Sequence, residues 1–491
     1  MRKMENIRVA LKAASKSDDF IQSDITIRHT LFHMSFYNSI INHEMLHRDL
    51  FTVIQLSHAA IHDLNDLKNV IPIEGIKFSS NLSEISLSLL QGFIYIQLDT
   101  DLNEGLLINV SDPEKGYRIN NLSENEYSVI GPMVAFVEDL DTNLNLLRKE
   151  IISEKLVFEE QTKGSISKTR VVIAYMEGIA NPQLLNTVRQ RLRDLDFDVI
   201  FDSSTLSQII ADISNTPFPL FLSTERVDRV KFEMICGHVA VLSSGSPYVI
   251  TGPTTFFDFF NSPEDYYLPW VLGSFFRIIR YMGVAFSIFA SSIYVSVMTY
   301  HYTIVPRALL GPIIESRSNV PFPPFLEVLL MEITVELLRE AGARLPTKVG
   351  QTLGIVGGVV LGQAAVQAGL TSNNLIIIVS LSALASFATP IFKMSNTIRF
   401  LRYPMILLAG AWGGMGMMVG VMFLLGHLLR LTSFGTPYLV PVFPFRYKGL
   451  KESIRAPYSA TWNRPSFLRP LNLRRYTVQK HKDIGDDYSN E

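Results

Sequence analysis

The sequence predicts a multi-domain chain. An N-terminal cytoplasmic α/β region of two related lobes should precede an all-α integral membrane domain. That domain should hold about four crossings plus an amphipathic or re-entrant helix, and a basic C-terminal tail should follow. Three observations carry this reading. Residues 1–270 read as ordinary soluble protein, whereas long apolar runs crowd 271–432. Segments of the soluble part recur in the same order. Basic residues gather after Phe434. The expected divisions are a tail at 1–19, a first lobe at 20–135 and a connecting helix at 136–164. A second lobe at 165–265, the membrane domain at 266–434 and the tail at 435–491 complete the chain.

Composition narrows the function. Lys and Arg number 44 against 46 Asp and Glu, so the charge balance of a nucleic-acid binder is missing. The lone cysteine, Cys236, excludes an intrachain disulfide framework and a Cys-rich zinc site. The N-terminus "MRKMENIRVALKAASKSDDF" shows no apolar signal core, so the first part is expected to stay in the cytoplasm.

The repeat defines the lobes. "HMSFYNSIINHEMLHRDLFTVI" from His33 parallels "VVIAYMEGIANPQLLNTVRQRL" from Val171. Each reads as a strand, a turn with Asn42 or Asn181, and an amphipathic helix. "LSEISLSLLQGFIYI" from Leu82 parallels "VDRVKFEMICGHVAV" from Val227, each helix stopping at Gly92 or Gly237 before a strand. "YSVIGPMVAF" parallels "YVITGPTTFF", which sets Gly131-Pro132 against Gly252-Pro253.

Four runs can cross about 30 Å of hydrocarbon: Ile279–Tyr302, Gly350–Leu370, Asn374–Phe392 and Tyr403–Leu431. Arg277 and Arg280 before the first run and the basic tail after the last place both ends inside. Between the runs lies "VPFPPFLEVLLMEITVELLREAGARLP". On a helix, Glu332, Glu336, Arg339 and Glu340 share one side, and Glu336 can pair with Arg339 one turn away. Charge at membrane depth must face protein or water. The segment is therefore read as interfacial, re-entrant or lining an aqueous path. In "GQTLGIVGGVVLGQAAVQAG", Gly354, Gly358 and Gly362 make a close-packing face. Val356, Val360, Gln363 and Gln367 line another side, which suits either a narrow water path or polar contacts between helices.

No catalytic set emerges. "HEMLH", His43 to His47, has the spacing of a zinc-binding helix with Glu44 as base. Arg48 follows it directly, no third ligand presents itself, and "NPQLLNTV" in the second lobe has no counterpart. It is read as a histidine-rich surface, with no metal and no cofactor expected. "FFDFFNSPEDYY" before the first crossing is read as a headgroup belt.

Residues 165–457 resemble the A subunit of GerA-type nutrient germinant receptors of endospore-forming bacteria. The resemblance rests on "EGIANPQLLNTVRQRL", "TERVDRV", "GPTTFFDFFNSPEDYY", the 320–346 segment, "GQTLGIVGGVVLGQAAVQAGL", "NTIRFLRYP" and "SFGTPYLVPVFPF". It implies a place in the spore inner membrane beside a transporter-like B subunit, which holds the nutrient, and a lipoprotein C subunit. It further implies a homo-oligomeric ring, in contact with membrane lipid, that conducts cations to start germination. The stretch with Glu332, Glu336 and Arg339 would lie near the conduit, and the glycine-rich span would pack around it. The choice of Val360, Gln363 or Gln367 as constriction comes from helix geometry. A non-conducting scaffold subunit is the alternative. A secondary transporter is more remote, because the runs show no inverted repeat.

Overall fold

The computed structural model describes residues 2–27, 30–57, 61, 63–73, 75–111, 126, 130–344, 358, 360, 362–446 and 463–475. Helix α1 (Arg2–Ala14) leads into β1 (Phe20–Ile27) and β2 (Thr30–Tyr37). Short helices α2 (His43–Met45), α3 (Thr52–Leu56) and α4 (Leu64–Val70) precede β3 (Lys77–Ser79), α5 (Leu82–Leu90), β4 (Phe93–Leu98) and β5 (Asp101–Asn109). The five strands form an antiparallel sheet in the order β1-β2-β4-β5-β3. After α6 (Leu140–Glu150) come β6 (Leu156–Lys163), β7 (Thr169–Met176), α7 (Pro182–Arg193), α8 (Ser203–Ile209), β8 (Leu222–Thr224), α9 (Val227–Cys236), β9 (Val239–Ser243) and β10 (Val249–Gly252). Their sheet runs β6-β7-β9-β10-β8, which is the first order shifted by five.

The repeat therefore lies in topology as well as in sequence. Asn42 and Asn181 both cap the helix that follows, accepting from the Met45 and Gln183 amides. Gly92 and Gly237 both sit at positive φ, 91° and 109°, where the chain turns sharply from helix into strand. The third pairing fails. Gly252-Pro253 follows β10, whose counterpart is β5, so Gly131-Pro132 occupies no equivalent place. Instead, the chain beyond Gly131 runs onto the second lobe. Ala135 bridges to Arg226, and the Phe136 amide donates to the Glu225 carbonyl at 2.7 Å. The expected divisions shift in two further places. α1 packs in the first lobe through Ile7 and Leu11. β6, an edge strand of the second sheet, falls inside the segment read as connecting helix.

Arg148 on α6 ties the lobes together. It is almost fully buried and donates from Nε and Nη2 to Asp19 at 3.0 and 2.7 Å, from Nη2 to Ser17 Oγ at 2.9 Å, and from Nη1 to the Leu156 carbonyl at 2.9 Å. Its plane also stacks against Tyr37 and Phe158, one from each lobe.

The helical part opens with α10 (Glu264–Tyr267) and α11 (Trp270–Thr299). It continues with α12 (Arg307–Arg317), α13 (Pro324–Ala343), the helical residues 362–367 (α14), α15 (Asn373–Ser386) and α16 (Phe392–Arg430). Among the described residues, α11 and α16 are long and apolar enough to cross a membrane. α16 is not straight. Gly413 adopts φ 58° and ψ −134°, and the chain doubles back there. A Cβ on Gly420 would meet Met405 Sδ at 2.6 Å, and one on Gly416 would strike the Leu408 carbonyl. Contacts that straddle Gly413 in this way mean two antiparallel arms held close by small residues. The run Tyr403–Leu431, expected as one crossing, is thus a hairpin, because glycine alone tolerates that turn. Tyr300, just past the end of α11, closes the apex by donating to the Gly410 and Ala411 carbonyls at 2.9 and 2.8 Å. α15 has 14 residues, shorter than the expected run Asn374–Phe392. Short strands β11 (Thr432–Ser433) and β12 (Thr436–Pro437) follow the hairpin.

The bundle grows directly out of the second lobe. Ile173, Val241 and Ile250 of the sheet share one apolar cluster with Val284, Ile288, Met394 and Leu428 of the helices. Arg277 and Arg280, expected as flanking charges, converge on buried Asp265 at 3.3 and 3.1 Å. The stretch read as a headgroup belt is the junction itself, with Phe259 and Phe260 wholly buried and Tyr267 left exposed.

Candidate functional site

The polar centre of the bundle is assembled from four helices. α11 supplies serines 287 and 291 one turn apart, α13 supplies Glu332, α15 supplies Ser382, and the first arm of α16 supplies Arg402. Glu332 Oε2 meets Arg402 Nη1 at 2.5 Å, and Oε1 accepts from Ser291 Oγ at 2.5 Å. Arg402 also donates to the Ser287 carbonyl at 3.0 Å, to Ser287 Oγ at 2.8 Å and to the Ser382 carbonyl at 3.2 Å. Every partner is buried. In such surroundings a fork-shaped guanidinium with all its neighbours satisfied offsets a large part of its desolvation.

This arrangement corrects the expected charged side of α13. Glu332 faces protein and pairs with Arg402, both side chains nearly fully buried. Glu336 is half-exposed and bridges Arg399 at 3.1 Å and Arg339 at 3.7 Å, the second of which is the expected one-turn pair. Arg339 covers the Phe387 ring. Glu340 is exposed and holds Arg344 at 2.6 Å. The four residues thus range from the buried Glu332 to the exposed Glu340. α13 is also no surface helix. Glu332 meets Arg402 and Glu336 meets Arg399, while the Phe325 ring packs on Gly410, so α13 runs antiparallel to the first arm of α16.

Sequence reasoning missed two members of the site. Arg399 and Arg402 lie in the "NTIRFLRYP" stretch and were given no role of their own. Their i, i+3 spacing against Glu332 and Glu336 at i, i+4 was the available signal. Glu327, in the first turn of α13, is completely buried. Its Oε1 accepts from the Ser372 amide at 2.7 Å, from Ser372 Oγ at 2.8 Å and from Thr371 at 3.3 Å. Ser372 caps α15, so the carboxylate sits where the helix dipole favours it. Arg317 of α12 approaches the other oxygen at 3.5 Å.

The glycine-rich span presents a different surface. Gly354 and Val356 lie outside the described residues. Val360, Gln363 and Gln367 are exposed, Val360 at 56%. A Cβ on Gly358 or Gly362 would meet nothing within 4 Å, so these glycines pack against nothing described in their own chain. The zinc-like motif lies at the surface. His43, Glu44 and His47 are exposed, Arg48 pairs with Asp49 at 2.7 Å, and the helix widens to π winding over Leu46–Phe51. No metal-binding cluster occurs among the described residues.

Comparison with known proteins places this architecture. The family model of the Bacillus/Clostridium GerA spore germination protein matches residues 7–467. The chain belongs to the GerA family. Spore germination protein GerQA of Bacillus cereus is 45% identical over 98% of this chain and 97% of its own length. GerIA of the same organism is 42% identical over 99% of this chain and 73% of its own. A crystal structure of the N-terminal domain of the A subunit of the Bacillus megaterium spore germinant receptor GerK3 gives a TM-score of 0.40 at 23% identity. It covers 51% of this chain and 94% of that one. α13 and its charged partners on α16 lie within the residues that the family model matches.

Proposed function

We propose that this chain is the A subunit of a nutrient germinant receptor in the spore inner membrane, working with a transporter-like B subunit and a lipoprotein C subunit. Copies assemble around an axis, and the glycine-rich span lines a cation conduit that opens when a partner binds nutrient. Identity to spore germination proteins over nearly the full length supports the role. The conduit reading rests on one observation: Val360, Gln363 and Gln367 stand exposed beside Gly358 and Gly362, whose Cβ positions would meet no described atom within 4 Å. A neighbouring copy can pack against the glycines, and Val360 then forms an apolar ring that excludes water. Switching such an assembly between strongly biased states takes about 5 kcal/mol of differential binding.

α11, α13, α15 and the two arms of α16 supply the other helical passes of the bundle. With the 350–370 run as a further crossing, the count is even and both chain ends lie on the cytoplasmic side. The test is potassium flux from liposomes holding the receptor, with and without nutrient. Val360→Ala should leak or lower the threshold, and Gln363→Leu should reduce flux. Unchanged flux in both variants removes this span from the gate. A complete absence of flux in every state leaves a scaffold subunit.

A further inference from the structure

We infer that the cavity where the second lobe, the loop after the bundle and the C-terminal segment meet is a binding site for a small phosphate-bearing molecule. This inference does not depend on whether the chain conducts. The cavity measures 240 Å³. α7 contributes Gln183 and Thr187 with its cap Asn181, the post-bundle loop contributes Thr436 and Arg446, and the C-terminal segment contributes Arg469. Among the described residues that line it, two are arginines and none is acidic.

Arg148, Arg277, Arg280, Arg399 and Arg402 each face a carboxylate. Arg446 and Arg469 have no ion pair among the described residues, although they come from separate parts of the chain and converge on one space. An acid does stand close by. Asp212 accepts from the Gly435 amide at 2.8 Å, but Arg191 holds it at 2.7 Å and neutralises it. The first turn of α7 also borders the cavity and adds the partial positive charge of a 12-residue helix. Asn181 is already engaged, accepting from the Gln183 amide at 2.9 Å and donating to the Leu468 carbonyl at 3.4 Å. It therefore shapes the wall and leaves the arginines to bind.

Two arginines from separate segments, Arg446 half-buried and Arg469 exposed, line the cavity beside a helix terminus, and such a set suits a tetrahedral anion with several acceptor oxygens better than a flat carboxylate. The space is ample for several waters, and so for a phosphate with a short body such as glycerol. Such a group can come from solvent or from the bilayer. Val442, Phe443 and Phe445, 47%, 51% and 71% exposed, closely precede Arg446 and offer an apolar edge to a lipid. Occupancy would join lobe, bundle and tail through one ligand.

The test uses the full chain. In neutral-detergent micelles at fixed ionic strength, calorimetric titration with sn-glycerol 3-phosphate and with inorganic phosphate measures solution binding. In nanodiscs of phosphatidylglycerol or phosphatidylcholine, native mass spectrometry counts retained lipid. Saturable binding of at least one phosphate probe is expected. It should weaken about tenfold for each of Arg446→Gln and Arg469→Gln, with the melting temperature unchanged. Thr187→Trp, which fills the cavity and keeps both arginines, should also abolish it. Glycerol phosphate without selective retention of phosphatidylglycerol assigns the solvent source, and the reverse assigns the bilayer. Binding of no phosphate probe, or wild-type binding by the double arginine variant or by Thr187→Trp, overturns the inference.

Discussion

Replacing Arg402 by Met should be among the most destabilising single changes in the bundle. The side chain donates four hydrogen bonds, one of them to Glu332, from a position only 3% exposed. Methionine fills much of the volume but leaves a buried carboxylate with Ser291 as its remaining side-chain donor. Removing one member of a buried ion pair costs about 3–5 kcal/mol. Glu332→Gln should cost a similar amount, because a buried guanidinium is then left with neutral acceptors. Combining the two removes both charges at once, so the double variant should be no less stable than either single one. The assay is unfolding in mixed micelles titrated with sodium dodecyl sulfate, read by intrinsic fluorescence as a double-mutant cycle. Additive losses, with no coupling energy, would refute the claim that this pair holds α13 inside the bundle.

Other expectations follow from the same geometry. Arg148→Ala should cost about 3 kcal/mol by stranding Asp19, and should raise hydrogen exchange in α6 and along β6. Gly420→Leu should prevent the arms of α16 from closing, since a Cβ there already approaches Met405 Sδ at 2.6 Å, and folded yield should collapse. His238 is buried, which disfavours its charge, but Glu233 at 2.9 Å outweighs burial and raises its pKa above the ordinary 6.5. Its stabilisation is full below pH 6.5 and is lost as pH rises through the raised value, so the melting temperature should fall over that range and His238→Gln should flatten the profile. Burial pushes the Cys236 thiol up to about 12, so maleimide at neutral pH should label it only after unfolding.

The two lobes were legible because strands and helices repeat their apolar spacing, and because Asn42, Asn181, Gly92 and Gly237 mark helix ends by local chemistry. The Gly131-Pro132 match misled for the converse reason. A dipeptide fixes a local turn and says nothing of which strand it follows. Hydropathy found apolar runs but could not see that α16 reverses at Gly413, since a single residue at positive φ leaves the composition untouched. The charge on α13 was legible in the sequence as needing protein or water beside it. Its resolution lay in Arg399 and Arg402, which stand 63 and 70 residues beyond their partners, and only tertiary packing brings those groups together.

The reversal at Gly413 returns the chain to where it entered. Thr432, just beyond the hairpin, donates to Asp212, and Ser433 to the Leu220 carbonyl, while α11 leaves the same lobe through Asp265. The lobe therefore grips both the root and the return of the helical bundle, like a hand holding the two handles of a pair of tongs. A small tilt of that grip is magnified toward Tyr300 and the far tip, and any splaying at the tip must be felt as torque in the hand.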